Sequence, residues 1–172
     1  MDNTLPKTEF RFDFEPVEKP QRILIHRWVA QDYIRRWLHG VGLRNALENL
    51  EHSFKDPSIH RHWIAYDEGK PFAYLISDLV KNEVALDLFI CEPSHLGKGL
   101  SVQLIHEFLL SQFSDAKTAL IEPEKSNVRA IHVYQKAGFK IIEEFIASWL
   151  PAPHYRMRLD MDQLRQKYDE NR

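Results

Sequence analysis

A turn with two glycines lies between a predicted strand and a predicted helix, and its composition suits a bound anion. The segment reads Leu96-Gly97-Lys98-Gly99, and the helix is expected to begin near Gly99. Glycines let the backbone approach a ligand closely, and the N–H groups at a helix start attract negative charge. The spacing differs from the phosphate loop of nucleotide hydrolases and from the dinucleotide fingerprint. Taken alone, the segment is more typical of a plain tight turn, with an anion site as the alternative.

An aspartate stands inside the strand before this turn, which is predicted over Val84 to Cys91. By alternation, Asp87 shares one face of that strand with Ala85 and Phe89. A carboxylate there is costly unless it has a partner or faces a solvated cleft. Four acids and one base also lie between Asp78 and Glu92. This bias indicates either a solvated edge or one wall of a site for a cationic ligand.

A second helix of interest is predicted between Asn127 and Gly138, with Ser126 as its N-cap and Gly138 as its C-terminal cap. It carries Tyr134 among its apolar positions. Taken alone, such a tyrosine is usually a core residue, and Asn127 near a helix start is usually a capping residue.

Together these segments resemble the GNAT superfamily of N-acetyltransferases, which use acetyl-coenzyme A. The helix of that family reads Asn, then Ala three residues on, Tyr four residues beyond, and then Gly-Phe. Asn127, Ala130, Tyr134 and Gly138-Phe139 keep that spacing.

The glycine turn resembles the pyrophosphate loop of the same family, written Gln/Arg-x-x-Gly-x-Gly/Ala. Gly99 matches this pattern, whereas Leu96 and Ser101 depart from it. The departures affect side-chain contacts to the coenzyme and leave the backbone amides in place.

A narrower resemblance is to the aminoglycoside 6'-N-acetyltransferases. It rests on the stretches Leu86 to Pro93, Ile121 to Pro123 and Ser126 to Ile131. Siderophore-type N-acyltransferases are similar but usually place His where Asp87 stands, so Asp87 favours the aminoglycoside branch. Both groups have a longer connection before this strand than Lys81-Asn82, so part of the acceptor site is expected from elsewhere in the chain.

The resemblance implies the following roles. Asp87 orients the substrate ammonium and helps to remove its proton, and Glu122 is a second anchor for a cationic acceptor. An ammonium near pKa 10 and a carboxylate near 4 differ by about 6 units, or about 8 kcal/mol. A water relay, or binding of the free amine, is therefore favoured over direct proton removal by Asp87. Tyr134 donates a proton to the departing thiolate, since a phenol and a thiol have similar pKa values.

The implied coenzyme site also includes Asn127, whose amide hydrogen-bonds the pantetheine arm. The backbone between Phe89 and Cys91 polarises the acetyl carbonyl. Cys91 itself lies either near the thioester or in the core. The full set of expected coenzyme-binding residues is Phe89, Ile90, Cys91, Leu96, Gly97, Lys98, Gly99, Leu100, Ser101, Asn127, Ala130 and Tyr134.

The functional prediction is an acetyl-CoA-dependent N-acetyltransferase with a role in antibiotic resistance. It transfers the acetyl group directly, in a ternary complex, to a primary amine of a small, polycationic, aminoglycoside-like acceptor. The alternatives are a siderophore-type N-acyltransferase acting on a hydroxylamine or lysine side chain, and a non-catalytic acetyl-CoA-binding protein.

These residues must be held by one α/β (α+β) domain over residues 1–172. The patterns predict a strand, two helices, three antiparallel strands, a helix, a strand, a helix, two strands and a terminal helix begun by Asp160. The first strand is expected from Glu9 to Phe14. The first two helices are expected over Gln21 to Leu38, with a possible break at Gln31-Asp32, and over Leu43 to Phe54. The resemblance implies a GNAT-like, mostly antiparallel sheet of about seven strands, splayed at a central parallel pair and flanked by helices.

Composition excludes several other classes. The chain has 172 residues, a net charge of −2 and one cysteine. The charge argues against nucleic-acid binding, and one cysteine excludes an internal disulfide and a cysteine-built zinc site. No membrane segment or secretory signal is visible, so a cytoplasmic protein is expected, as a monomer or homodimer.

Several other residues favour structural interpretations. His60 and His62 have metal-like spacing, but no motif completes a site, so no metal is expected and both are read as surface or edge residues. Four aromatic residues are expected mainly in the core, with lining of the acceptor side as the alternative; they are Trp28, Tyr33, Trp37 and Trp63.

Overall fold

The computed structural model describes residues 10–56, 58 and 61–171 and has the expected element order. The elements are β1 (Phe12–Pro16), α1 (Arg22–Val29), α2 (Asp32–Lys55), β2 (Arg61–Asp67), β3 (Lys70–Val80), β4 (Glu83–Ile90), α3 (Ser101–Gln112), β5 (Thr118–Ile121), α4 (Val128–Ala137), β6 (Lys140–Ile146), β7 (Pro153–Asp160) and α5 (Met161–Glu170). The first strand begins at Phe12, and Glu9, where it was expected to begin, lies outside the described residues.

The described strands form one sheet in the order β1-β2-β3-β4-β5-β7-β6, in which β4 and β5 are the parallel pair. Tight turns join β2 to β3 and β3 to β4, so both of these strand pairs are antiparallel. Glu68 and Gly69 both have positive φ, at 50° and 78°, as the mirror-image hairpin turns require. The two-residue turn Lys81-Asn82 joins β3 to β4 as expected. The mixed, mostly antiparallel sheet of seven strands is confirmed.

The central parallel pair is short and then opens. Glu83 to Ala85 pair with Thr118 to Leu120, and no further rungs join the two strands in the described sheet. Beyond this point β5 stays with β7, because Tyr155 N donates to Pro123 O at 3.0 Å and Glu124 forms an isolated bridge with His154. A wedge therefore opens between the second half of β4 and the extension of β5. The predicted splay is confirmed.

Helices cover both faces of the sheet, and each face has its own apolar core. On one face, α3, α4 and α5 pack against Leu86 and Leu88 of β4. On the other face, α1 and α2 pack against Ile64 and Tyr74. Because side chains alternate along a strand, Asp87 belongs to the face of α1 and α2.

Two helix ends differ in their details from expectation. Asn127, rather than Ser126, caps α4: its side chain accepts from Ala130 N, while Ser126 Oγ donates to Glu124. The cap lies one residue later than predicted because the Ser126 hydroxyl is already bonded to Glu124. Gly138 ends α4 as predicted, with φ at 107°.

The possible break at Gln31-Asp32 falls at Ala30-Gln31 and separates α1 from α2. The gap expected between Leu38 and Leu43 is wrong, because α2 continues through it. This helix runs over Asp32–Lys55 across a kink at His39, where φ is 57° and ψ is 178°. Among the described residues, no helix combines the length and apolar character that spanning a membrane requires.

Candidate active site

The loop between β4 and α3 presents backbone groups to the wedge. Gly97 and Gly99 have φ values of 68° and 70°, and a side chain added at either would meet nothing within 4 Å. No side chain of the described residues caps α3, and its first turn holds no acid. The first N–H groups of a helix have no partner within it, so they remain available to an anion.

A cavity of about 610 Å³ lies against this loop. It is bounded by the end of β4, the loop, one side of α4 and the start of α2. Its lining residues are Tyr33, Ile34, Leu88, Phe89, Ile90, His95, Leu96, Gly97, Gly99, Leu100, Ser101, Val102, Asn127, Arg129, Ala130, Val133, Tyr134 and Lys136. The two separate sequence segments therefore meet in one cavity, as the resemblance implied.

Two predicted coenzyme residues do not line this cavity. Lys98 is exposed on the loop. Cys91 is buried in the core beneath α1 and α2, and its N–H donates to Phe72 O at 2.7 Å. The expectation that the Cys91 backbone polarises a ligand carbonyl is therefore wrong, because that N–H already has a partner. The alternative, a small buried cysteine, is what the structure has.

The pairing of β4 with β3 directs other N–H groups into the wedge. Since Cys91 bonds to Phe72, hydrogen-bonded rungs fall at Cys91 and at every second residue before it. The N–H groups of Leu88 and Ile90 then point away from β3, toward the side that β5 has left. Leu88 N donates to Asp87 Oδ1 at 3.1 Å, so Ile90 N is the better placed donor for a bound carbonyl oxygen.

Two basic residues of α4, Arg129 and Lys136, also line the cavity. The sequence reasoning missed them because exposed bases on a helix are ordinary. Their spacing of seven residues, which returns to one side of a helix, is the signal that could have found them. With the α3 N-terminus they give this end of the cavity positive potential, which fits the phosphates of a coenzyme.

Asp87 lies two residues past the last pair between β4 and β5, where the wedge opens, and is accessible to solvent. Neighbouring protein atoms still desolvate its carboxylate in part, and this raises the pKa of Asp87 to about 6. The N–H of Leu88 acts in the opposite direction, by stabilising the ionised carboxylate. The structure therefore supplies the solvated cleft that an aspartate in a strand needs.

Tyr134 faces the cavity from α4. Burial is the main cause that raises the pKa of its phenol, and the nearby charge of Asp87 acts in the same direction. Tyr134 is therefore protonated throughout the neutral range and able to donate from its hydroxyl.

Three carboxylates share the face of the sheet that α2 covers. By alternation from the paired residues Ala85 and Leu120, Asp87, Glu122 and Glu124 lie on this face, on opposite sides of the wedge. Glu122, predicted as an acceptor anchor, is paired with Arg156 at 3.2 Å. Glu124 is paired with His39 of α2 at 3.0 Å.

The acidic residues between Asp78 and Glu92 differ in what they contact. Glu83 binds Arg158 and Thr118, and Glu92 accepts from Trp28 Nε1 at 2.8 Å. These two acids are structural, whereas Asp87 faces the cleft.

A buried aspartate contacts a histidine that lines the cavity. Asp67 accepts a bidentate pair from Arg11, and it contacts His95 Nε2 at 2.9 Å. His95 lines the cavity, stacks on Phe72 and directly precedes Leu96 of the glycine loop. No sequence motif marked this network, because its members lie far apart along the chain.

His62 was expected to be a surface or edge residue, and this expectation is wrong. It is 3% exposed in β2, and its Nδ1 lies 2.5 Å from the hydroxyl of Tyr74. His60, the other histidine of that pair, lies outside the described residues. Within the ranges that the structure describes, no cluster of ligating side chains fits a metal ion.

The aromatic residues divide between the two interpretations offered for them. Trp28 and Trp63 are buried core residues, as expected. Tyr33 lines the cavity, and its hydroxyl donates to Cys91 O at 2.8 Å. Trp37 is half-buried in α2.

A comparison with family models decides the family. Residues 21–147 match the model described as an acetyltransferase (GNAT) domain. The chain belongs to the GNAT acetyltransferase family. It is an acetyltransferase, as its sequence predicted.

Individual relatives of this acetyltransferase carry narrower names. A solved structure of the aminoglycoside N(6')acetyltransferase from Legionella pneumophila subsp. pneumophila str. Philadelphia 1 has a TM-score of 0.87 and 52% identity, covering 94% of this chain and 98% of that one. The aminoglycoside N(6')-acetyltransferase type 1 of Klebsiella pneumoniae is 26% identical over 136 residues, 68% of each chain. The aminoglycoside acetyltransferase AAC(6')-Ib, solved with coenzyme A and kanamycin, has a TM-score of 0.73 at 20% identity, covering 91% of this chain and 98% of that one. The last likeness shows the shared fold alone.

Proposed function

We propose that this acetyltransferase transfers an acetyl group from acetyl-CoA to a primary amine of an aminoglycoside. The observation that carries the proposal is the 52% identity, over nearly the whole chain, to an enzyme named for that reaction. The structure adds physical support, because the cavity beside the glycine loop lies at the end of β4, the strand that also carries the exposed Asp87.

The residues of the cavity fit acetyl-CoA. The amides of the glycine loop and of the α3 N-terminus would bind the pyrophosphate, with Arg129 and Lys136 adding positive charge. Asn127 caps α4 with its side-chain oxygen, which leaves its amide nitrogen for the pantetheine arm. Ile90 N–H is directed toward the thioester carbonyl oxygen.

Asp87 acts on the acceptor. Its carboxylate attracts the substrate ammonium and takes the proton, directly or through water, when the amine becomes nucleophilic. With a pKa of about 6, Asp87 differs from an ammonium near 10 by about 4 units, or about 5 kcal/mol. This penalty is smaller than for an ordinary aspartate and still favours a water relay.

The chemical step exchanges one bond for another. The amine nitrogen attacks the thioester carbonyl carbon, the N–C bond forms and the C–S bond breaks. The thiolate that departs takes a proton from the Tyr134 hydroxyl. Direct transfer requires both substrates in one site, and one cavity is lined by the glycine loop, by α4 and by the start of α2.

The test is thiol release from acetyl-CoA across a panel of primary amines that includes kanamycin, spermidine and lysine. Turnover of an aminoglycoside with acetylation at one amine, located by mass spectrometry, is the expected result. Turnover of spermidine or lysine alone would contradict the aminoglycoside assignment. Binding of acetyl-CoA without turnover of any amine would favour a non-catalytic coenzyme-binding protein.

A further inference from the structure

Helix α2 is broken at a residue whose backbone is unusual. His39 has φ 57° and ψ 178°, a region that is essentially confined to glycine. Glycine stands next to it at position 40, where a side chain would meet nothing within 4 Å. A glycine at position 39 would adopt this conformation without strain. The kink by itself gives no reason for a histidine at position 39, so we look for that reason in the contacts of its side chain.

The imidazole of His39 reaches a carboxylate far away in sequence. Its Nε2 lies 3.0 Å from Glu124 Oε2, although 85 positions separate the two residues. The Glu124 side chain is only 17% exposed, and its other oxygen accepts from Ser126 Oγ at 3.2 Å. Glu124 is also fixed through its backbone by the bridge to His154. The carboxylate is thus a rigid anchor on the extension of β5.

This pair stands beside the acceptor side of the wedge. Asp87, Glu122 and Glu124 point to the face that α2 covers, as the strand register requires. The N-terminal half of α2, Asp32 to Leu38, contributes Tyr33 and Ile34 to the cavity lining. His39 ends that half, so its bond to Glu124 joins the part of α2 that lines the cavity to the extension of β5.

We propose that the His39–Glu124 pair holds the N-terminal half of α2 against the extension of β5 and so sets the width of the acceptor site. His39 is a positioning residue for the acceptor. The effect on an aminoglycoside rests on the proposed function, whereas the attachment of α2 does not.

Steady-state kinetics of four variants test the positioning role. His39→Gly removes the imidazole and relieves the backbone, His39→Gln keeps a side-chain donor, and Glu124→Gln removes the negative charge. The double variant His39→Gly with Glu124→Gln completes a cycle. His52→Ala, an exposed histidine in the last turn of α2, is the matched control.

We expect the acceptor KM to rise about fivefold to tenfold in His39→Gly and Glu124→Gln, with no further rise in the double variant. The KM for acetyl-CoA should stay within about twofold, because the coenzyme loop is on another side of the cavity. His39→Gln should recover part of the change. His52→Ala should behave as the wild type.

Hydrogen exchange provides a readout that does not need turnover. Amides of Asp32 to Leu38 and of the segment around Glu124 should exchange faster in His39→Gly and Glu124→Gln than in the wild type. Faster exchange with an unchanged acceptor KM would overturn the positioning role, and unchanged exchange would overturn the attachment itself. If the wild type acetylates another amine of the panel and no aminoglycoside, the proposed function fails, and that amine serves as the acceptor in the same comparison.

Discussion

At the scale of single residues, the folded environment changes the acidity of Asp87, the proposed acceptor residue. Its type and its place in a strand are visible in the sequence, but an ordinary aspartate is a poor base for an ammonium. In the folded chain, desolvation raises the pKa of Asp87 to about 6 while the wedge keeps it accessible. Asp87 is then ionised at neutral pH, and it accepts a proton more readily than an aspartate with an ordinary pKa.

Replacement of Asp87 tests this role. Asp87→Asn should lower kcat/KM for the acceptor by about 10²-fold or more, since it removes both the charge and the proton acceptor. In the wild type, kcat/KM should fall as the pH drops through about 6, because protonation neutralises Asp87. A pH–rate profile of both proteins checks this expectation. An acidic limb near pH 6 that persists in Asp87→Asn would assign it to another group.

Tyr134 is tested by loss of its hydroxyl alone. Tyr134→Phe should lower kcat about 10-fold to 100-fold, because the thiolate then departs without a placed proton donor. The KM for acetyl-CoA should change little, since the ring remains in the cavity. Tyr168→Phe, on α5 and outside the cavity lining, is the control and should keep the wild-type kcat. Equal losses in the two variants would indicate a stability effect.

At the scale of elements, helix ends position residues that line the cavity. Helix α4 starts at the Asn127 cap and ends at Gly138, so these two caps fix how Tyr134 and Lys136 face the cavity. Gly138 has φ at 107°, and an added Cβ would lie 2.9 Å from Leu159 Cδ1. Both the backbone and the space therefore require glycine there.

The substitution Gly138→Ala should destabilise the protein by about 1–3 kcal/mol, through left-handed backbone strain and crowding of Leu159. Gly40→Ala is the matched control, because an added Cβ there meets nothing within 4 Å. It should change stability by less than about 1 kcal/mol. Urea unfolding of the three proteins measures the difference. Equal stability of Gly138→Ala and the wild type would contradict the assigned cap geometry.

At the scale of the whole molecule, long-range polar links hold the site to the sheet. Asp67 joins the segment before β1, through Arg11, to the glycine loop between β4 and α3, through His95. The bond from Arg11 is the main cause that lowers the pKa of Asp67, and His95 adds to it. Ionised Asp67 is thus a stabilising link between parts that are remote in sequence.

The pH dependence of stability should reveal this link. Because the pKa of Asp67 is lower in the folded state, its contribution is complete above the ordinary value near 3.9. It is lost as the pH falls through the lowered folded pKa. Asp67→Asn should therefore cost about 1–2 kcal/mol at neutral pH, screened because Arg11 is half exposed, and progressively less below about pH 4. Melting temperatures from pH 3 to 7 measure this, and a constant difference would contradict it.

Much of the fold was predictable because it rests on local patterns. Alternation marked β4 with Asp87 on one face, helical spacing marked α3 and α4, and Gly138 marked a helix end. The Asn127-to-Phe139 motif and the glycine loop led to the family that the comparison then confirmed. The cap at Ser126 and the ligand role of the Cys91 amide were wrong, because each depends on which hydrogen-bond partner lies nearest in space.

The sequence by itself determined the order of elements, the two-glycine turn after β4 and the presence of an aspartate inside that strand. Short-range propensities and spacing along one chain suffice for these features. The tertiary structure alone decided the pairing of Glu122 with Arg156, the attachment of His39 to Glu124, the support of His95 by Asp67 and the raised pKa of Asp87. Each of these depends on distances across the sheet and on how much water the fold excludes, and neither quantity is written in the spacing of residues.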